Sequence, residues 1–435
     1  MNRERFLAAV SRLHSFINYE RQPPSKYGDA EYNLDRMRRL LAALGEPHAR
    51  LSAIHLAGTD GKGSTASLCA HFLSRLGFRT GLNTSPHLED IRERFRIDGA
   101  MMPEETFVAL FERVLEKLPG EYAAPPTGHG FATVFEIITA MAFLYFAEEG
   151  VDYAVVEVGM GGRLDATNVL MPRVAVITQL GIDHTRHLGA TLEAIAREKL
   201  GIVKPGVPVV VTPQMNVAES FVREEVAARG GNSYFVSELL RPRVLERRGD
   251  GYVFEFLSPD DGRRRVWRHP LPGDHQVANA CTALLALWRL PEFTEGMPWE
   301  ALQRHLLDFS MPGRFEVLAR AGRARVVLDV AHTEQAARVL LRTLDQVFPT
   351  RPRRFVIGQM NDKDTTHYLQ SLLRPEDCVM ATRVDNPRAR RPEEIREILV
   401  GKLAFAPEQV ISCRRNLARR WILRCGRRGR RSWWW

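Results

Sequence analysis

No stretch of 18 consecutive uncharged apolar residues occurs in this chain of 435, so nothing in it suits a membrane-spanning helix and no membrane partner is expected. Cysteine is scarce. The five present, Cys69, Cys281, Cys378, Cys413 and Cys425, are scattered, without the pairing of a disulfide framework or the spacing of a zinc site, and they fit a reducing cytoplasm. The N-terminal stretch MNRERFLAAVSRLHSFI lacks the basic, apolar, small order of a secretory signal. Glu4 interrupts its basic face, so it predicts an amphipathic surface helix and not a transit peptide. Acidic residues vanish after Ser412: Cys413–Trp435 holds nine arginines and no Lys, Asp or Glu. The formal net charge is +9, so residues 1–412 are formally neutral and the basicity belongs to the tail. That removes the electrostatic case for a nucleic-acid partner of the body.

What the chain does contain is alternation. Its length favours two domains, and 45% apolar content makes it globular. The Val-rich runs YAVVEVG (153–159), RVAVITQ (173–179) and VPVVVT (207–212) read as strands buried on both faces of a parallel sheet. Helical patterns at 62–77, 131–149, 191–201 and 216–229 separate them. This is the rhythm of a doubly wound α/β domain, in which ligands bind beyond the carboxyl ends of the strands. The polar stretch 242–269 reads as a small antiparallel insertion, and 290–313 as a helix and linker. A second α/β unit starts with RVVLDVAH (325–332), then a helix at 333–346, a strand at 353–359, a helix near 364–373 and a strand at 377–382. The expected divisions are 1–295, 296–412 and an aberrant tail, 413–435.

Three stretches carry chemistry. The first, HLAGTDGKGSTAS (55–67), is a strand, a glycine loop and a helix start. Backbone N–H groups of such a loop cradle a phosphate chain while Lys62 neutralises its oxygens. Unlike the usual signature, Gly63 separates Lys62 from Ser64 and Thr65. In VVEVGMGGRLDATN (155–168), Glu157 ends an apolar strand. Burying a lone carboxylate is costly, so it needs either Arg163 or a cation, and hard oxygen donors beside phosphates suit Mg²⁺. GIDHTRHLG (181–189) brings Asp183 and His184 to the same rim.

In this order, these stretches resemble the folylpolyglutamate synthase/dihydrofolate synthase family of the Mur ligase superfamily. The likeness runs from about residue 18 to 400, and further motifs carry it: NTSPHLEDIRERFRIDG (83–99), FEIITAMAF (135–143), REKLGIVKPG (197–206), HQVANACTAL (275–284), PGRFEV (312–317) and DVAH (329–332). The fold implied is a P-loop-type, mostly parallel doubly wound sheet followed by a smaller, Rossmann-like C-terminal α/β domain. ATP is implied at Gly58, Thr59, Asp60, Gly61, Lys62, Gly63 and Ser64, and at Asn279, Arg314 and Asp329. The resemblance implies one or two Mg²⁺ held by Ser85, Glu157 and His184, and a carbamylated Lys199. Lys199 paired with Asp183 or Glu198 is the plainer alternative. Arg94 matches an arginine implicated in binding glutamate, and His332 lies beside that site. The activity implied is ATP-dependent addition of L-glutamate to a folate or pteroate by way of an acyl phosphate, in a cytoplasmic monomer whose two domains close on the reactants.

Three departures stand out: Asp60 where the family usually has Asn, Thr333-Glu334 where Asn-Pro usually follows the histidine, and the tail. Glu334 is expected either to repel an anionic substrate or to cap the next helix. The tail reads as a shifted frame near residues 412–414 rather than an RNA-binding arm. A ligase acting on cell-wall precursors is a sibling reading, which FEIITAMAF and TSPHLEDIRERFRIDG disfavour. A nucleotide-binding homologue impaired by Thr333-Glu334 and its C-terminus is the reading from another class.

Overall fold

The structure, a computed structural model, describes residues 3–19, 34–118, 132–183, 185–215, 217–319, 325–350, 352–361, 363–384, 386 and 388–413. The tail beyond Cys413 lies outside the described residues, and with it the expectation of a shifted frame. The chain divides into two compact units. The first comprises 1–243, 254–268 and 276–309, and the second 244–253, 269–275 and 310–435.

The first unit is built on one eight-stranded sheet. Its strands are β1 (Ala53–Ala57), β2 (Thr80–Asn83), β3 (Arg96–Ile97), β4 (Ala100–Met101), β5 (Tyr153–Glu157), β6 (Val174–Ile177), β7 (Pro208–Val211) and β8 (Asn232–Phe235). They lie in the order β4-β3-β2-β5-β1-β6-β7-β8. From β2 to β8 the pairs are parallel; β3 and β4 run antiparallel at the edge. β1 sits between β5 and β6, with Leu56 opposite both Glu157 and Val176. The carboxyl ends of the three motif-bearing strands are therefore neighbours.

The Val- and Ala-rich composition of these strands follows from their position. Every residue of β1, β5 and β6 is buried. Ala154 and Val156 join one apolar cluster, whereas Ala175, Ile177, Val209 and Val211 join another, so the sheet is covered on both faces. The helix Val134–Glu148 is apolar on nearly all sides and buried almost throughout, as a helix enclosed within a core should be. Its capping box, with Thr133 and Glu136 satisfying each other's backbone N–H, fixes its start. Glu136 also forms a buried pair with Arg36 at 2.8 Å, which joins this helix to Leu34–Ala43. The amphipathic helix expected at the N-terminus is Arg3–Leu13, with Phe6, Ala9 and Leu13 inward.

The stretch expected as an insertion forms a sheet of β9 (Arg243–Arg248), β10 (Gly251–Leu257) and β11 (Arg264–His269), ordered β11-β10-β9. It divides between the units. Within the first, Phe256, Trp267 and Trp299 form an aromatic cluster, and the Trp299 indole N–H donates to Asp260. This packing draws the helix Trp299–Leu307 into the first compact unit, which runs to Phe309. Within the second, Tyr252 Oη donates to Gln346 at 2.6 Å and Arg247 makes two bonds to Asp274 at 2.9 and 3.0 Å.

In the second unit β14 (Arg354–Ile357), β15 (Cys378–Ala381) and β16 (Val410–Ser412) form a parallel sheet. The helices Glu334–Val347, Thr365–Leu372 and Pro392–Glu397 contribute Leu341, Leu369 and Ile395 to its core. One expectation fails here. The strand read at 325–332 does not open this sheet. It is β13 (Val326–Leu328), paired antiparallel with β12 (Glu316–Leu318) in a two-stranded ribbon. The short connection between β12 and β13 permits a hairpin but not a parallel crossover.

Candidate functional site

The loop after β1 is shaped by two glycines. A Cβ on Gly58 would lie 1.8 Å from Thr178 Oγ1, and one on Gly61 would lie 2.7 Å from Asn279 Oδ1. Both have positive φ, +154° and +88°, a region that side chains disfavour. The loop is tied to β6's carboxyl end. Thr59 N–H donates to Gln179 O at 2.8 Å, and Thr59 Oγ1 donates to Gly181 O at 2.9 Å. The helix Lys62–Arg75 starts at once, with side-chain-free Gly61 at its cap and no side chain covering the cap. Thr65 N–H makes the first turn's bond, to Gly61 O at 2.9 Å. The N–H groups of Lys62, Gly63 and Ser64 precede it, where the helix carries its partial positive charge. Such an end accepts a phosphate.

Lys62 Nζ donates to Gly58 O at 2.9 Å and Thr59 O at 3.1 Å, so its ammonium is folded back over its own loop. Lys199, 3% exposed and at the end of the helix Leu192–Lys199, donates to the same Gly58 O at 2.9 Å. Asn279 is buried on the helix Asp274–Trp288; its Oδ1 accepts from Thr65 Oγ1 at 3.4 Å and its Nδ2 donates to Gln276. Lys62, Lys199 and Asn279 thus converge on one loop from three separate helices.

Glu157, at the end of β5, is 5% exposed, and its Oε2 accepts from Ser85 N–H at 3.0 Å. Arg163, its plainer candidate partner, pairs with Glu198 at 3.0 Å. Ser85 belongs to the connection from β2 to β3, which closes on itself. Glu93 accepts from the N–H groups of Leu88, Glu89 and Asp90, and Asp90 caps the turn Ile91–Arg94. Arg94, 3% exposed, has its carbonyl held by Asn83 Nδ2 at 2.7 Å and its Nε–H donating to His87 Nδ1 at 2.9 Å. His184 lies outside the described residues, so its relation to Ser85 and Glu157 stands as an expectation.

Sequence reasoning missed the residue that shapes the glycine run after Glu157. Asp165 accepts from Gly159 N–H and Met160 N–H, each at 3.0 Å, and from Thr167 N–H and Oγ1. Thr167 Oγ1 meets His55 Nε2 at 2.8 Å. Because that hydroxyl spends its proton on Asp165, the histidine donates. Burial pushes the Asp165 carboxyl up from its ordinary range, opposed by these hydrogen bonds. Burial lowers His55 to about 3 and so keeps it neutral. The available signal was a carboxylate in a glycine-rich stretch followed by Thr167.

In the second unit, Asp329 follows β13 and accepts from Phe315 N–H and Ala331 N–H, each at 2.8 Å. It thereby holds the turn after Arg314, where Phe315 takes φ +46°. Desolvation lowers His275, with Asp329 opposing the shift and Arg314 reinforcing it. The His332 ring meets Val330 O at 3.0 Å through Nδ1 and lies at the surface. Thr333 caps the helix Glu334–Val347 by accepting from Ala336 N–H, and Glu334 pairs with Arg338 one turn on. Of the two roles foreseen for Glu334, capping belongs instead to Thr333.

Comparison with known proteins fixes the class first. Residues 56–287 match the Mur ligase middle domain and residues 313–428 the Mur ligase glutamate ligase domain, so the chain belongs to the class of proteins built on these two domains. Within that class it is 34% identical over 364 residues to the dihydrofolate synthase/folylpolyglutamate synthase of Bacillus subtilis (strain 168), covering 83% of each chain. It superposes on the Mycobacterium tuberculosis folylpolyglutamate synthase complexed with ADP with a TM-score of 0.82 and 31% identity, covering 94% of this chain and 88% of that one. It also superposes on a bifunctional folylpolyglutamate synthase/dihydrofolate synthase with Mn, AMPPNP and L-glutamate bound, at a TM-score of 0.77 and 28% identity, over 97% and 92% of the two chains. The chain belongs to the folylpolyglutamate synthase/dihydrofolate synthase family.

Proposed function

We propose that this protein joins L-glutamate to a folate or pteroate with hydrolysis of ATP to ADP and phosphate. The observation that carries the reading is the loop Gly58–Ser64: a helix N-terminus without a side-chain cap, two lysines on one carbonyl, and a buried carboxylate at the next strand's end. A substrate carboxylate attacks the γ-phosphate, ADP leaves, the glutamate amine displaces phosphate from the acyl phosphate, and an amide forms. The first step brings two anions together. Lys62, swung from Gly58 O to the phosphates, screens them, and the Lys62–Ser64 N–H groups hold the chain in line.

The donors present fit a magnesium ion: the Glu157 carboxylate is buried beside Ser85, and both are hard oxygen ligands. We assign Ser85, Glu157 and His184 to it. When bound it supplies positive charge that offsets the developing negative charge on the phosphate oxygens. We assign Lys199 a carbamate, Asn279, Arg314 and Asp329 to the nucleotide, and Arg94 and His332 to the incoming glutamate. Thr333 and Glu334 have local structural partners, which weighs against reading them as the mark of an inactive homologue. Cys69, Cys281, Cys378 and Cys413, which form no disulfide among the described residues, support a cytoplasmic setting.

The test is phosphate release from ATP, followed with dihydropteroate or tetrahydrofolate as acceptor. Release that requires both acceptor and L-glutamate is expected; ATP binding without such release would overturn the proposal.

A further inference from the structure

We propose that His87 is a positioning residue for Arg94: its Nδ1 lone pair holds the guanidinium in the plane in which it meets a carboxylate. The proposal rests on the reading of Arg94 as a glutamate-binding residue. The geometry is that of a built side-chain pair. Arg94 is 3% exposed, and its Nε–H donates to His87 Nδ1 at 2.9 Å. A guanidinium only donates, so the accepting nitrogen carries the lone pair and the imidazole proton sits on Nε2. A hydrogen bond at Nε fixes rotation of the planar group about its stem. Bidentate recognition of a carboxylate depends on that plane.

The main chain around the pair is equally fixed. Asn83 Nδ2 holds the Arg94 carbonyl at 2.7 Å, so both ends of the residue are restrained. Glu93 gathers the N–H groups of Leu88, Glu89 and Asp90 and folds the chain so that position 87 faces position 94. Ser85 N–H, two residues before His87, donates to Glu157. One short loop therefore touches the buried carboxylate at one point and orients a buried cation at another. His87 is the side chain that joins the two parts.

The experiment compares His87→Phe, which keeps a ring without an acceptor, with His87→Gln, whose Oε1 can accept the same N–H. His87→Ala replaces the phenylalanine variant should that ring not be accommodated. Loss of a hydrogen bond to a charged group is expected to raise KM for L-glutamate roughly tenfold or more. KM for ATP should stay within about twofold, and the glutamine variant should recover most of the loss. Combined with Arg94→Ala, His87→Phe should add little, because the two residues act as one unit. In protein labelled with ¹⁵N-arginine, the Arg94 Nε–H signal should exchange slowly in the parent and glutamine variants and quickly in the phenylalanine variant. Unchanged KM for glutamate in His87→Phe, an equal rise for ATP, or full additivity with Arg94→Ala would overturn the proposal. Unchanged KM for glutamate in Arg94→Ala would instead overturn the reading of Arg94, and with it any functional role for the pair, even where the Nε–H signal shows the contact intact.

Discussion

Lys62 and Lys199 place their side-chain nitrogens on the same oxygen, the carbonyl of Gly58, each at 2.9 Å. The Lys62 ammonium, whose acceptors here are the neutral carbonyls of Gly58 and Thr59, is a cation that an anion stabilises, whereas Lys199 acts through the carbamate assigned to it. Replacing either should therefore harm nucleotide handling more than folding. Lys62→Ala is expected to lower turnover by roughly 10²-fold or more, the scale of one lost transition-state contact. Coupled phosphate release checks it, with the thermal midpoint as the control for folding.

Gly58→Ala should weaken nucleotide binding and stability together, because the new methyl would occupy the position of Thr178 Oγ1, 1.8 Å away. Thr178→Gly in the same chain should recover part of the loss. Recovery will be incomplete, since φ at residue 58 is +154° whatever lies opposite. Calorimetric titration with a non-hydrolysable ATP analogue distinguishes the single from the double variant.

Glu157→Gln keeps the shape and the bond from Ser85 N–H but removes the charge. Divalent-ion affinity should fall by about tenfold or more while metal-free ADP binding persists. Electron paramagnetic resonance of Mn²⁺ reads the first and fluorescence of a labelled nucleotide the second. Equal Mn²⁺ binding by both proteins would remove Glu157 from the proposed ligand set.

Acid should destabilise both units through neutral histidines. Burial holds His55 in the first unit and His269 in the second at about 3, against an ordinary 6.5. Their folded values lie below the unfolded value, so their contribution is complete above pH 6.5 and is lost as pH falls toward 3. Each costs about 1.4 kcal/mol per pH unit through that window. Asp165 works in the other direction, since its raised carboxyl favours the fold at pH below its ordinary 3.8 and loses that contribution as pH rises. Unfolding midpoints taken from pH 7 to 4 should decline, and His269→Gln should flatten the decline for the second unit.

Thr333→Ala should cost about 1 kcal/mol by removing a helix cap. Glu334→Ala should cost under half of that, because an exposed pair with Arg338 one turn away contributes little. Denaturant titration of both variants tests the order.

The sheet of the first unit was readable because burial on both faces leaves an unbroken apolar run, as in Ala154-Val155-Val156. The glycine loop was readable because chain geometry and chemistry coincide within seven residues, Gly58–Ser64. What escaped depends on contacts between distant segments. Thr178 explains Gly58 only once β1 and β6 are in register. The antiparallel pairing of β13 with β12 reflects a short connection, which the composition of RVVLDVAH does not reveal. Residues 242–269 looked like a single insertion because their polarity is uniform, yet Tyr252 bonds to Gln346 while Trp267 packs with Phe256. His87 gave no sign of its partner, since only the turn Ile91–Arg94 brings Arg94 back to it.

The chain passes between the units at 243/244, 253/254, 268/269, 275/276 and 309/310. No single cut separates them. A fragment starting at residue 310 would lack the Arg247–Asp274 clasp and the Tyr252 anchor, and one ending at 309 would keep the clasp but leave Tyr252 without Gln346. The pieces of this enzyme are better regarded as interlaced than as beads on a string. During synthesis, residues 244–253 and 269–275 must wait for more than sixty further residues, through the helix Glu334–Val347, before their own unit can close around them.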